Sequence, residues 1–111
     1  MSEAQEQAAV IEWCDWQRIP IFHIPNGGKR NPREAAGLKR QGVRRGVPDL
    51  CVPIARGPWH SLYIEMKYGR NKPSQEQLSW MQTLSDNGMK CLVCYSAREA
   101  QDAISDYLGG A

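Results

Sequence analysis

Apolar residues recur at helical spacing in three segments of the chain, and compact apolar blocks fill the intervals between them. In residues 3–17, Val10, Ile11 and Cys14, with Trp13 beside them, fall on one side of a polar stretch, which predicts a first helix. Ser2 is placed to cap it, and Glu3 and Glu6 sit where the positive end of the helix favours acids. Pro20 ends the pattern. Residues 21–24 predict a short strand, stopped by Pro25, Asn26, Gly27 and Gly28. Further blocks at 49–54 and 61–67 predict two strands joined through a turn at Arg56, Gly57 and Pro58, hence a hairpin. Ser74 can cap a helix from about Gln75 to Asp86 that carries Leu78, Trp80, Met81 and Leu84, and Asn87 with Gly88 closes it. A strand at 90–95 follows. Ser96 then caps a last helix over 97–108, with Ala100, Ala103, Ile104, Tyr107 and Leu108 apolar.

The segment from Lys29 to Arg45 is less regular. A short helix can form over 32–41, with Asn31 as its cap and Pro32 at its first position. Leaving that helix aside, the order is α-β-β-β-α-β-α, which predicts an α/β fold with a mixed central sheet flanked by helices. A length of 111 residues fits one domain spanning 1–111, and 41% hydrophobic residues suffice for a core without disulfides or structural metal. The polar start does not resemble a signal peptide, and no apolar run nears the ~20 residues that cross a bilayer. The expectation is a soluble, cytoplasmic protein with no membrane partner.

The four cysteines change the picture little. Cys91 and Cys94 have CxxC spacing, but they lie in an apolar strand whose alternation sends them to opposite faces, and Cys14 and Cys51 supply no second ligand pair. Buried structural thiols are the expected reading. Charge is more informative in its distribution than in its sum of +2. Lys29, Arg30, Arg33, Lys39, Arg40, Arg44 and Arg45 crowd one stretch with Glu34 as their sole opponent, a composition that suits phosphate contacts or a solvated loop alike.

The chemistry lies between Asp49 and Lys67. Asp49 opens one strand of the hairpin, and Glu65 and Lys67, two apart on the other, project to one face. Pairing of the two strands brings Asp49 alongside Glu65. Two carboxylates suit a hard divalent cation such as Mg²⁺, which binds few carboxylates and keeps waters for hydrolysis. A lysine beside them can orient the attacking water and contact a phosphate. Glu65 stands in an otherwise apolar strand, where an unpaired carboxylate is costly; Lys67 or a metal would relieve that cost.

At these residues the chain resembles the PD-(D/E)xK nuclease superfamily, whose motif appears as Pro48-Asp49 and Glu65-Met66-Lys67. More closely, it resembles the virus-type replication-repair nuclease family, VRR-NUC. The matching features are His23 to Gly28, the run from Gly42 to Leu50, Ile64 to Lys67, and Pro73 to Leu78 followed by Gly88. The resemblance implies a restriction-endonuclease-like fold and Mg²⁺- or Mn²⁺-dependent hydrolysis of DNA, on branched structures such as Holliday junctions. It implies Asp49, Glu65 and the Met66 backbone carbonyl as metal ligands and Lys67 as the catalytic lysine. A first-helix glutamate, Glu3 or alternatively Glu6, would join the metal or its waters, with Glu3 preferred. Gln77 takes a supporting polar role, or is an ordinary exposed glutamine. His23 and Asn26 become active-site or DNA-facing groups, where His23 alone would read as a core histidine. Arg44, Arg45, Lys39, Arg40, Lys29 and Arg30 are the expected DNA contacts. The resemblance further implies a homodimer, since a four-way junction offers two related strands to cut, and a phage or prophage origin in a bacterial host.

Two other functions compete. A non-catalytic nucleic-acid-binding module would keep the fold but has no use for buried acids facing phosphate. A CxxC redox or zinc protein would need a helix N-terminus at the CxxC or more ligands. Of Trp13, Trp16, Trp59 and Trp80, Trp59 alone is expected to be exposed enough to meet a base or a partner.

Overall fold

The computed structural model describes residues 1–26 and 31–109. Its elements run α1 (Glu3–Gln17), β1 (Phe22–His23), α2 (Pro32–Arg40), β2 (Leu50–Val52), β3 (Leu62–Met66), α3 (Gln75–Asp86), β4 (Lys90–Cys94) and α4 (Ala97–Tyr107). The optional basic helix is therefore formed as α2, capped by the Asn31 side chain with Pro32 in its first turn. The rest follows the expected order, in an α/β fold with a mixed sheet.

Local chemistry sets the helix boundaries. Ser2 and Ser74 each accept from the backbone N–H three residues on, and Gln5 and Gln77 return the bond to the capping residue's own N–H. Ser96 accepts from the Glu99 N–H and starts α4. The sheet order is β1-β2-β3-β4. The first two pairings are antiparallel, and β3 pairs parallel with β4 across the α3 connection. The strand expected over 49–54 is shortened to three residues, because Pro53 has no N–H to continue the ladder. Beyond it, the Tyr107 hydroxyl donates to the Ile54 carbonyl at 2.6 Å and ties the strand end to α4.

The core lies on one face of the sheet. Leu50, Val52, Leu62, Ile64 and Met66 meet Val10 and Cys14 of α1 and Ala100, Ile104 and Tyr107 of α4. The other face is covered by α3, which buries none of its own residues and leaves Leu78 48% exposed. Helix α2 likewise has no buried residue. Two tryptophans depart from expectation. Trp59 is half-buried and packs on the core, while Trp16 is 80% exposed. Trp59 is drawn in by the tight turn in which Arg56 and Trp59 exchange both backbone hydrogen bonds. No helix among the described residues is long and apolar enough to cross a membrane.

Candidate active site

The register of the hairpin builds the site. Leu50 faces Ile64, so one step outward Asp49 stands opposite Glu65. Asp49 is fixed there because its Oδ2 accepts from the Met66 backbone N–H at 2.8 Å. Its carbonyl accepts from the Ile24 N–H at 2.8 Å, which ties the same residue to the end of β1. Side-chain alternation puts Leu62, Ile64 and Met66 into the core and turns Glu65 and Lys67 to the α3 face.

Glu65 is 2% exposed, which is unusual for a carboxylate. Its Oε2 accepts from Gln77 Nε2 at 3.0 Å and lies 3.3 Å from Lys67 Nζ. Its Oε1 is buried with no hydrogen-bond partner. Burial, and then the negative charge of Asp49, push the Glu65 carboxyl up to about 8, with Lys67 pulling the other way. Two adjacent carboxylates cannot both hold full charge in so dry a place unless something positive joins them. The unpartnered Oε1 is the atom of the pair at which a cation could be held.

Glu3, at the start of α1, is close enough to feel the same charges. Its carboxyl is raised by burial and by Asp49 and lowered by Lys67. Among the described residues no three His, Cys, Asp or Glu side chains are grouped so as to hold a metal ion, so Glu3 does not join Asp49 and Glu65 in one ligand set. Asp49 and Glu65 are the residues here that could hold a hard divalent cation, and Glu3 shares their electrostatic environment.

His23 is exposed beside this pair. Its Nδ1 lies 2.9 Å from the Asp49 carbonyl oxygen and 3.1 Å from the Gln7 side-chain amide. Nδ1 serves one of these partners at a time: as an N–H it donates to the Asp49 carbonyl and as a lone pair it accepts from Gln7 Nε2, while Nε2 of the ring points away from both. Gln7, which the sequence reading left without a role, reaches the same Nδ1 with its amide nitrogen Nε2.

A glycine completes the frame. Gly46 is buried at φ +91°, and a Cβ there would stand 2.6 Å from the backbone carbon of Glu76. The loop that delivers Asp49 is thus seated directly on the first turn of α3, the turn that carries Gln77. No local pattern announces this approach.

The basic residues divide. Arg44 Nη1 donates to the Lys39 carbonyl at 2.8 Å and the Val43 carbonyl at 3.4 Å, closing the end of α2. Lys39 and Arg40, in the last turn of α2, and Arg45, between α2 and Asp49, are exposed. Asn26 is half-buried just after β1. Lys29 and Arg30 lie outside the described residues.

The thiols are not part of the site. Burial pushes Cys14, Cys91 and Cys94 up to about 11, so they are protonated and inert at neutral pH. Cys51 and Tyr63 stand opposite one another across β2 and β3, and burial raises both the thiol and the phenol.

The model of the VRR-NUC domain family matches residues 1–98. A solved structure described as "VRR_NUC domain protein" superposes with a TM-score of 0.85 at 30% sequence identity, over 98% of this chain and 89% of that one. No curated protein matches the chain.

Proposed function

Given that the chain belongs to the VRR-NUC domain family, we propose that it is a Mg²⁺- or Mn²⁺-dependent deoxyribonuclease that hydrolyses phosphodiester bonds in branched DNA such as Holliday junctions. The observation that carries this reading is the buried Glu65 with its unpartnered Oε1, set between Asp49 and Lys67. A pure binding module has no reason to bear the desolvation cost of that carboxylate.

Asp49 and Glu65 would hold the cation, with the Met66 carbonyl as a further ligand and Glu3 acting on its waters. When bound, such a cation acidifies water and neutralises charge on the scissile phosphate. The protein's own groups do the rest. Lys67, 3.3 Å from Glu65 Oε2, retains N–H donors for the attacking water and for a phosphate oxygen. Met66 N–H and Gln77 hold the two carboxylates in place. His23 offers Nε2 to the substrate side, and Arg45, Lys39 and Arg40 grip flanking phosphates. A two-fold dimer would present two such sites to a junction.

The test is cleavage of four-way-junction, flap and linear duplex DNA with Mg²⁺, with Mn²⁺, and with chelator. The reading expects metal-dependent cuts that favour the junction. Tight DNA binding without cleavage under any metal would establish the binding module instead.

A further inference from the structure

Gln77 uses both ends of its amide. Its Oε1 accepts from the Ser74 backbone N–H at 2.8 Å, and its Nε2 donates to Glu65 Oε2 at 3.0 Å. Its own backbone N–H donates to Ser74 Oγ at 3.2 Å. The Ser74 N–H can only donate, so it forces the amide oxygen to its side and aims the amide nitrogen at Glu65. Turned over, the amide would set two donors against each other at Ser74 and an oxygen against a carboxylate at Glu65. Ordinary helix capping accepts Glu as readily as Gln at this position. Here Glu would satisfy the cap and still have no proton for Glu65.

We infer that Ser74 is a positioning residue for the active site: its backbone N–H orients the Gln77 amide, which engages Glu65 Oε2 together with Lys67 and so leaves Oε1 as the oxygen that faces the cation. This inference rests on the proposed metal-dependent chemistry, and it separates two roles of Ser74. Capping of α3 resides in Oγ. Positioning resides in the N–H. Groups that orient metal ligands typically change metal affinity by about 10- to 100-fold when removed.

The two roles come apart by substitution. Ser74 has φ −73°, within the range of proline, so Ser74→Pro removes the N–H and Oγ together without demanding a new backbone angle. Ser74→Gly removes Oγ alone. Calorimetric titration with Mn²⁺ should show Ser74→Gly within about twofold of wild type, and Ser74→Pro and Gln77→Met each weaker by about tenfold. The double variant Ser74→Pro/Gln77→Met should be no weaker than either single one, because both act through one amide. Equal affinity in folded Ser74→Pro, or losses that multiply in the double variant, overturns the inference.

A second readout needs no metal. In ¹⁵N-labelled wild-type protein the two Gln77 side-chain amide protons should be inequivalent and protected from exchange, in Ser74→Gly as well. A rapidly exchanging, solvent-like pair in the wild type overturns the inference, even if Ser74→Pro does not fold. Wild-type protein that binds no Mn²⁺ counts against the nuclease proposal, while the amide signal still decides the role of Ser74.

Discussion

Strand β3 has two faces with opposite purposes. Leu62, Ile64 and Met66 are wholly buried among α1 and α4, while Tyr63, Glu65 and Lys67 alternate with them and look toward α3. The first face consists of apolar side chains with nothing left unsatisfied. The second carries a buried carboxylate with an unpartnered oxygen, under a helix that buries none of its own residues. Stability and chemistry are thus interleaved along six residues of backbone, Leu62 to Lys67, and a one-residue slip would exchange them. The hairpin register and the Met66–Asp49 bond hold the two apart.

The largest effects should come from cutting each face separately. Ile64→Ala should lower stability by about 2–5 kcal/mol, from lost burial and the cavity left behind. Its effect on a still-folded fraction's turnover should be small. Lys67→Ala should do the reverse: a cleavage rate lower by at least about 10²–10³-fold, with a melting temperature near that of the wild type. Denaturant melts and rates measured on both variants check the separation. Full turnover by folded Lys67→Ala protein would remove this lysine from the mechanism.

An intermediate effect follows from the cost of the second face. Without divalent metal, Glu65 in the folded chain is raised from its ordinary 4.5 to about 8. Between those values the folded state holds a proton that the unfolded state has released, so stability must fall as pH rises. The contribution is fully present below about 4.5 and gone above about 8. The metal-free melting temperature should therefore decline from pH 5 to pH 8, and Glu65→Gln should flatten that decline. A wild-type melt that rises over this range would contradict the buried-acid account.

How much of this was legible in the sequence depends on how local each cause is. Ser2, Ser74 and Ser96 act within one turn of their own position, and all three caps could be read directly. The hairpin could be read too, because alternation fixes which residues share a face. Asp49, Glu65 and Lys67 were recognisable for the same reason. The seat of Gly46 on Glu76, the bond from Gln77 to Glu65 and the contact of Gln7 with His23 join distant segments, so no window of sequence contains them. The tryptophans show the same limit. Trp16 and Trp59 exchange their expected exposures because packing, not type, decides which ring is covered.

The smallest expected effect lies in the basic segment and sharpens the comparison outside the sheet. Arg44 is engaged with the carbonyls at the end of α2, whereas Arg45 is an exposed cation before Asp49. Arg45→Ala should weaken junction binding for all sequences alike and flatten the salt dependence by about one unit of slope. Arg44→Ala should instead loosen α2 and change the slope less. Binding at several salt concentrations, with a thermal melt of each variant, distinguishes them. An unaltered slope in Arg45→Ala would take that residue off the phosphate path.

The claim on which all of this turns is that Asp49 and Glu65 together hold a divalent cation. Calorimetric titration of Mn²⁺ into wild-type and Asp49→Asn protein tests it most directly, with a melt to verify that both are folded. Asn keeps an oxygen to accept from the Met66 N–H and so preserves the loop, but it removes one of the two charges. The account predicts Mn²⁺ binding by the wild type and binding weaker by at least about tenfold in Asp49→Asn. Ca²⁺ should occupy the same site without supporting cleavage. Undiminished Mn²⁺ affinity in folded Asp49→Asn protein would place the metal elsewhere and contradict the account.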